Sequence, residues 1–235
     1  MITIRNLWKR FGKAQILSGM NLDVFDGETL VLLGQSGIGK SVLLKHIIGL
    51  LEPDAGTIEI AGESPRLGML FQGGALFDSM TVEENVAFYL KEHGYAPKEI
   101  AELVAQALEL VGLAGTQKKM PSELSGGMRK RAAMARLIVY RPKIILYDEP
   151  TTGLDPIIAM QINELIVKTQ KELQATSIVV THDMCSALYV GDRLALIKEG
   201  KIAHIGEPDL FLQIEDPLIQ FLHASISQDP RRLKE

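Results

Sequence analysis

The 235-residue sequence lacks several features that would assign it to a particular class of protein. Its single cysteine, Cys185, can form neither an internal disulfide nor a paired-thiol metal site, and a reducing cytoplasm fits this cysteine usage. It also lacks a surplus of basic residues, because 25 Lys and Arg stand against 29 Asp and Glu for a net charge of −4. That balance argues against nucleic acid as the main partner.

Long apolar runs are also missing. The first residues, MITIRNLWKRFGKAQ, carry charges throughout and contain no apolar core of signal-peptide length. The apolar stretch at 42–51 is interrupted by Lys45, His46 and Gly49, and falls short of the roughly 20 residues that span a bilayer. We therefore expect no export signal, and any action at a membrane requires another chain to do the spanning.

What is present indicates one compact catalytic domain, because 46% of the residues are hydrophobic and 23% are charged. Strand-like runs separated by turns fill 1–33, almost purely helical patterns fill 80–139, and strands alternate with helices from 144 onward. Alternating strands and helices favour a parallel sheet. We predict an α/β fold in a single domain, 1–235. Its core, with a mainly parallel sheet and an N-terminal antiparallel β subdomain, spans 1–72 and 140–225. An α-helical subdomain is inserted at 73–139, and a tail follows at 226–235.

Local signals place several boundaries. Thr81 and Glu84 have the spacing of a capping box, and Pro97 stands where a helix would begin. The pair Glu199-Gly200 between LALIK and KIAHI predicts a hairpin turn.

The segment GQSGIGKS, residues 34–41, matches the phosphate-loop pattern GxxxxGK[ST] between an apolar run and a helical pattern. Its glycines let backbone N–H groups surround phosphate oxygens, and the following helix N-terminus adds positive dipole. Lys40 would neutralise the β- and γ-phosphates, and the Ser41 hydroxyl would bind Mg²⁺. The alternative is a plain glycine-rich turn, which the surrounding pattern disfavours.

Two adjacent acids follow a second buried run, in the segment KIILYDEP. Asp148 would hold Mg²⁺, and Glu149 would take a proton from the attacking water. Taken alone, two acids at the end of a strand more often form a solvated turn. The phosphate loop elsewhere in the chain reverses that preference.

The segment ELSGGM at 123–128, placed between these two motifs, resembles the signature motif of ATP-binding-cassette (ABC) ATPases. Ser125 with the amides of Gly126 and Gly127 at a helix N-terminus would form a second anion site. The resemblance covers the chain to about Phe221. It implies a P-loop NTPase core and an ATPase that uses ATP and Mg²⁺, each ATP being sandwiched between two copies in an ATP-dependent homodimer.

Smaller elements of this family match single positions. Phe11 corresponds to the aromatic that stacks on adenine, although a core strand aromatic is the alternative. Gln72 in MLFQ corresponds to the glutamine that touches Mg²⁺ and the attacking water, and Asp155 in TTGLDP to the loop aspartate at the dimer interface. Asp155 before Pro156 is independently a good helix start. His182 in VVTHD corresponds to the histidine that contacts the γ-phosphate, where a lone His would more often be a core residue.

The resemblance thus implies three sets of site residues. The catalytic set is Glu149, His182, Lys40 and Gln72. The metal set is Ser41, Gln72 and Asp148. The nucleotide-binding set is Phe11, Gly34, Gln35, Ser36, Gly37, Ile38, Gly39, Lys40, Ser41, Val42, Ser125, Gly126, Gly127 and Asp155.

Two departures from the usual family pattern are visible. Only nine residues separate Gly62 from Gln72, which is a shorter segment than usual. Met128 stands where most members have Gln, and with MLFQGGALFDSMTVEENVAFYL it is similar to the phospholipid-trafficking, Mla/Mce-linked branch. The resemblance therefore implies phospholipid cargo, integral membrane permease subunits, a Mce-type lipid-binding protein as a further partner, and a peripheral location on the cytoplasmic face of the inner membrane.

Four alternatives remain open at this point. The chain could be an ABC importer ATPase for another solute or a soluble ABC ATPase without transport function. It could also be a phosphate-loop kinase, which would need an acceptor-binding lid and has no LSGG element, or a regulatory nucleotide-binding module. The full set of Lys40, Ser41, Asp148, Glu149 and His182 disfavours the last.

Overall fold

The computed structural model describes residues 1–62 and 66–227, and it divides the chain into two compact units. The first unit holds the described residues of Met1–Glu63 and Thr176–Glu235, and the second holds those of Ser64–Ala175. The predicted tail at 226–235 lies outside the described residues from 228 onward, and so do residues 63–65 of the short segment before Gln72. The subdomain boundaries at 73 and 139 stay a prediction.

An antiparallel sheet forms one layer of the first unit. Its strands are β1 (Ile2–Phe11), β2 (Ala14–Val24) and β4 (Ala55–Ile60), in the order β2-β1-β4. Strand β1 pairs antiparallel with both neighbours. Its apolar side chains Ile2, Ile4 and Leu7 are fully buried. The predicted N-terminal antiparallel strands are therefore confirmed.

A second group of strands in this unit is mainly parallel. It contains β3 (Thr29–Leu33), β7 (Thr176–Val180), β8 (Arg193–Lys198) and β9 (Lys201–Gly206). Strand β3 lies between β7 and β8 and is parallel to both, whereas β9 is antiparallel to β8. Every residue of β3 and β7 is buried, including the polar Thr29, Thr176 and Ser177, as is typical of strands covered on both faces of a parallel sheet.

The turn between β8 and β9 has the predicted residues. Glu199 and Gly200 have φ angles of 51° and 73°. Two consecutive positive φ angles are typical of the tight turn that joins antiparallel strands. The hairpin predicted at this pair is confirmed.

Four helices complete the first unit: α1 (Lys40–Ile47), α6 (Met184–Val190), α7 (Pro208–Phe211) and α8 (Pro217–Ser227). Helix α6 packs against β3 and α8, and α7 packs against β8 and β9. The helical patterns after Gly39 and Asp183 predicted α1 and α6. The sequence did not predict α7, which has only four residues, or α8, which lies near the end of the chain.

The second unit is built around one central helix. It contains the parallel strands β5 (Leu67–Leu70) and β6 (Ile144–Asp148), and the helices α2 (Val82–Glu92), α3 (Pro97–Leu110), α4 (Gly126–Ile138) and α5 (Pro156–Leu173). Helix α4 packs against α2, α3, α5 and β5. The run Ala132–Ala135 is buried because small side chains let neighbours approach α4 closely.

Strand β5 was not predicted. A Cβ atom on Gly68 would lie 2.2 Å from Leu137 Cδ1 and 2.6 Å from the Tyr140 hydroxyl. The strand therefore needs glycine where α4 covers it. A glycine inside a four-residue run weakens a strand pattern, which explains why the sequence did not indicate this strand.

The helix starts agree with the local signals. The Glu84 N–H donates to Thr81 Oγ1 at 3.2 Å and the Thr81 N–H donates to the Glu84 carboxylate at 2.8 Å, which is the predicted capping box. The Thr81 N–H and the Thr81 hydroxyl, which also donates to this carboxylate at 3.0 Å, hold the pKa of Glu84 below its ordinary value. Helices α3 and α5 begin at the predicted Pro97 and Pro156.

Thr81→Ala removes the side-chain cap of α2. A cap of this kind contributes about 1 kcal/mol, so amide exchange in the first turn of α2 should rise about fivefold. Hydrogen-exchange mass spectrometry measures this directly. Thr57→Ala, the same change at an exposed position of β4, is the matched control. Unchanged exchange in α2 of the Thr81 variant would contradict the role of the cap.

Candidate active site

Two predicted site segments of the first unit follow neighbouring parallel strands. The phosphate loop follows β3, and His182 follows β7 by two residues. Parallel neighbours bring their carboxyl ends to the same edge of a sheet. Accordingly Gly34, Gln35, Ile38 and His182 line one cavity of about 860 Å³. The structure therefore brings His182 beside the phosphate loop.

The phosphate loop is held from inside by Lys40. Its Nζ donates to the carbonyl oxygens of Gly34 at 2.7 Å and Gln35 at 3.0 Å, and the residue is only 6% exposed. Gln35, Ser36 and Gly37 are exposed at the top of the loop. Lys40 thus places its charge under the segment predicted to bind phosphate.

Gly39 at the start of α1 can only be glycine. Its φ angle is 106°, which L side chains rarely adopt, and a Cβ atom would lie 2.8 Å from Ile16 Cγ2. Both the backbone conformation and the packing therefore require this residue in the phosphate-loop pattern.

The N-terminus of α1 lacks two features that are found at other helix starts. Thr81, Ser125, Asp155 and Asp183 each cap their helix with a side chain, and the uncapped helices α3 and α7 have an acidic residue in the first turn. Helix α1 has no side-chain cap at Gly39 and no acidic residue in its first turn. Helix N-terminal N–H groups and their dipole favour an anion. This end of α1 therefore fits a phosphate group.

The remaining predicted residues of the first unit lie near this loop in sequence or on the adjoining sheet. Ser41 and Val42 are half-buried in the first turn of α1. Phe11 ends β1 with 47% of its surface exposed, so it is not a core aromatic, and Lys9 Nζ lies 5.6 Å from its ring centroid. His182 is also exposed, which removes the alternative of a core histidine.

The second unit repeats the strand-end arrangement. Gln72 follows β5 by two residues, and Asp148 is the last residue of the parallel neighbour β6. Asp148 is 7% exposed, and Gln72 is exposed. The two predicted metal ligands of this unit therefore lie at the same edge of their strand pair.

Glu149 has an unusual backbone conformation. Its φ angle is 48°, in the left-handed region that non-glycine residues rarely occupy. Its carboxylate accepts a hydrogen bond from the Thr152 hydroxyl at 2.9 Å, and its carbonyl accepts one from the Thr152 N–H at 3.3 Å. Non-glycine residues held in this conformation cluster at functional sites.

The second predicted anion site is built where α4 and α5 begin. Ser125 Oγ accepts from the Met128 N–H at 3.3 Å and caps α4. Asp155 caps α5 by accepting from the N–H groups of Ile157 and Ile158, both at 3.1 Å, which confirms the predicted helix start. A Cβ atom on Gly127 would lie 2.5 Å from Ile158 Cγ2. The two helix starts are therefore in contact.

One residue of this region was not predicted. Lys130 is 7% exposed, and its ammonium donates to the backbone carbonyls of Gln72 and Glu149. Burial lowers the pKa of Lys130, while the carboxylates of Asp148 and Glu149 oppose that shift. In the sequence, Lys130 lies in the basic run RKR, which is typical of a solvated helix face and gives no signal of a site.

Within residues 1–62 and 66–227, no group of three or more His, Cys, Asp or Glu side chains could hold a metal ion. No helix in the described part of the chain has the length and apolar character needed to cross a bilayer.

Comparison with known proteins identifies the family. The model of the family described as "ABC transporter" matches residues 17–152, which is more than half of the chain. The chain belongs to the ABC transporter family. It is an ATPase domain of that family, and the predicted α/β fold with a P-loop NTPase core is confirmed.

Two curated relatives are each 41% identical to the chain. One is the intermembrane phospholipid transport system ATP-binding protein MlaF of Haemophilus influenzae, an alignment that covers 100% of this chain and 94% of the relative. The other is the probable ribonucleotide transport ATP-binding protein mkl of Mycobacterium leprae, covering 95% of this chain and 69% of the relative.

A similar solved structure is the dimeric post-hydrolysis state of the ATP-binding cassette MJ0796 bound to ADP and Pi. It has a TM-score of 0.79 and 29% identity, and the match covers 88% of this chain and 98% of that one.

The contact at the start of α4 yields a prediction about stability. Gly127→Ala places a methyl group against Ile158 and should destabilise the second unit by about 1–3 kcal/mol, measured by urea denaturation. Adding Ile158→Ala should restore stability, because the remaining Cβ would lie 3.8 Å away.

Gly126→Ala is the matched control for this prediction. Its Cβ would meet only Leu154 Cδ2 at 3.7 Å, an ordinary contact. Equal loss of stability in the Gly126 and Gly127 variants would contradict the steric explanation.

Proposed function

We propose that this ATPase is the nucleotide-binding subunit of a phospholipid transporter, in which two copies of the chain close on two ATP molecules and drive a membrane permease. Each ATP would bind the phosphate loop of one copy and the Ser125–Gly127 segment of the other. Removal of the γ-phosphate would let the pair open. The peripheral location at the cytoplasmic face of the inner membrane belongs to this proposal.

The observation that carries the proposal is the construction of the phosphate loop. Lys40 is buried beneath the loop, Gly39 can only be glycine, and the N-terminus of α1 has no side-chain cap. These features favour binding of a polyphosphate whose charge the lysine and the helix dipole offset. The dimeric state of the ATP-binding cassette MJ0796 supports the pairing of two copies.

The chemistry assigned to the remaining residues follows their positions at strand ends. Glu149 would accept a proton from the attacking water, since its carboxylate is fixed by Thr152, and His182 beside the phosphate loop would contact the γ-phosphate. Mg²⁺ bound with the nucleotide would neutralise charge on the phosphates. Hydroxyl, amide and carboxylate oxygens suit this ion, and Ser41, Gln72 and Asp148 supply them.

A groove in the second unit offers a docking surface for the permease. A cavity of about 370 Å³ lies between the segment after β5 and helices α2 and α4. Its lining includes Phe77, Phe88, Tyr89, Arg136 and Tyr140. Phe77 and Phe88 are 40% and 36% exposed, and their ring centroids lie 4.9 Å apart. Exposed aromatic pairs of this kind are enriched in protein interfaces.

The phospholipid cargo is inferred from similarity to relatives and from one motif. The phospholipid assignment is supported by the relative MlaF, which aligns over nearly its whole length, and by the LSGGM form of the signature motif. The relative mkl, named for ribonucleotide transport, favours another solute at the same identity. The fold of an ATPase subunit does not determine which cargo is transported, so the cargo has to be assigned from the partner proteins.

Glu149→Gln tests the catalytic assignment. Loss of a general base lowers turnover by about 10²–10⁴-fold, while ATP binding is retained. The variant should therefore accumulate as an ATP-bound dimer, detected by light scattering after size exclusion. Glu164→Gln, an exposed glutamate of α5, is the control and should turn over ATP normally. Turnover like that of the wild type in the Glu149 variant would remove Glu149 from the base role.

Phe88→Asp tests the groove. Loss of an aromatic anchor from the centre of an interface costs about 2 kcal/mol or more, so recovery of the permease with the tagged chain should fall more than tenfold. Quantitative mass spectrometry of the detergent extract measures the recovery. Leu210→Asp changes another exposed side chain, 61% exposed and outside this groove, and should leave recovery unchanged. Equal recovery with both variants would exclude the groove.

Purification of the tagged chain from a mild detergent extract tests the cargo. Identification of a permease together with a lipid-binding Mce-domain protein and bound phospholipid is the expected result. A soluble solute-binding protein in place of the Mce-domain protein would contradict the phospholipid assignment.

A further inference from the structure

The ammonium group of Lys130 connects three segments of the second unit. Lys130 lies in the second turn of α4, and its Nζ donates to the carbonyl oxygen of Gln72, two residues after β5. It also donates to the carbonyl oxygen of Glu149, directly after β6, at 3.4 Å. One side chain therefore ties the helix to both loops.

The chain places a charged group here in spite of its burial. Lys130 is 7% exposed, and removing an ammonium from water is unfavourable unless polar partners replace the water. Two backbone carbonyls supply those partners, and the carboxylates of Asp148 and Glu149 add favourable charge. Its neighbour Arg129 instead donates to Pro121 O at 2.9 Å, away from both loops. Lys130 therefore bonds to both loops, whereas its neighbour Arg129 bonds to a different segment.

The peptide that Lys130 binds belongs to the strained residue of the site. Glu149 has a φ angle of 48°, and a non-glycine residue stays in this region only when its surroundings hold it there. Its carbonyl receives both the Lys130 ammonium and the Thr152 N–H, and its carboxylate receives the Thr152 hydroxyl. Lys130 and Thr152 therefore both restrain the residue that carries this carboxylate.

We propose that Lys130 is a positioning residue for ATP hydrolysis. It holds the loops that contain Gln72 and Glu149 in fixed positions relative to α4. The inference rests on the proposed role of Glu149 as the base. Lys130 does not touch the nucleotide in this account. Its removal therefore slows hydrolysis and loosens the two loops while leaving nucleotide affinity unchanged.

The position of Lys130 on α4 gives the tie a second consequence. Ser125 caps the same helix five residues earlier, about 7.5 Å along the helix axis. A helix transmits a displacement along its length as a rigid element. Lys130 therefore connects the helix that begins at Ser125 to the loops of Gln72 and Glu149.

Lys130→Met, which keeps an unbranched chain and removes the charge, tests the inference. We expect kcat for ATP hydrolysis to fall about 10–100-fold, the range for residues that orient a catalytic group. KM and equilibrium binding of a fluorescent ATP analogue should stay within about twofold. Amide exchange should rise in residues 71–74 and 147–154 and nowhere else in the second unit. Lys130→Arg should recover most of the turnover and the protection.

Lys168→Met is the matched control, because its side chain is 55% exposed on α5 and, within the described part of the chain, its one ion pair is with Glu172 at 3.9 Å. It should behave as the wild type in every measurement. Unchanged kcat and exchange in Lys130→Met would overturn the inference, and so would exchange that rises throughout the second unit, which indicates a structural role alone. If Lys130→Met fails to fold, Lys130→Gln is measured in its place, and failure of both neutral variants to fold also overturns it.

Failure of the positioning role of Lys130 can be distinguished from failure of the base role of Glu149. If Glu149→Gln retains turnover, the base role fails, whereas local exchange in the Lys130 variant still reports whether the tie exists. If Glu149→Gln behaves as a base variant and Lys130→Met is inert, only the positioning role fails.

Discussion

Parallel pairing of buried strands is the constraint on which the site depends. In the first unit, β3 and β7 are neighbours, and their carboxyl ends deliver the phosphate loop and His182 to one cavity. In the second unit, β5 and β6 are neighbours, and their carboxyl ends deliver Gln72 and Asp148. These strands are nearly fully buried, and the predicted site residues lie at or just beyond their carboxyl ends, although the polar Ser177 is fully buried within β7. The predicted chemistry therefore belongs to the loops at one edge of each strand pair.

Helix α4 organises the second unit in a comparable way. It begins at the Ser125 cap, packs against α2, α3, α5 and β5, and carries Lys130 to the loops that follow β5 and β6. Its buried alanines allow close packing, and this packing in turn forces glycine at position 68 of β5. Helix α4 thus carries residues predicted to bind anion, residues that contact the loops of Gln72 and Glu149, and residues that line the proposed docking groove.

The sequence predicted the elements whose signals are local. The phosphate loop, the Thr81 cap, the helix starts at Pro97 and Pro156 and the Glu199-Gly200 hairpin each depend on residues close together in the chain, and all are present. The sequence did not predict β5 or Lys130. Both depend on packing between distant segments, since Gly68 is explained only by Leu137, and Lys130 only by the carbonyls of Gln72 and Glu149.

We propose that each ATP is hydrolysed between the phosphate loop of one copy and the signature segment of another. Mixing two inactive variants, Lys40→Ala and Ser125→Glu, tests it most directly. A mixed dimer retains one site in which Lys40 of one copy faces Ser125 of the other. We expect ATP hydrolysis, which is absent from each variant alone, to reappear in the mixture, whereas a mixture as inactive as its components would contradict a site shared between two copies.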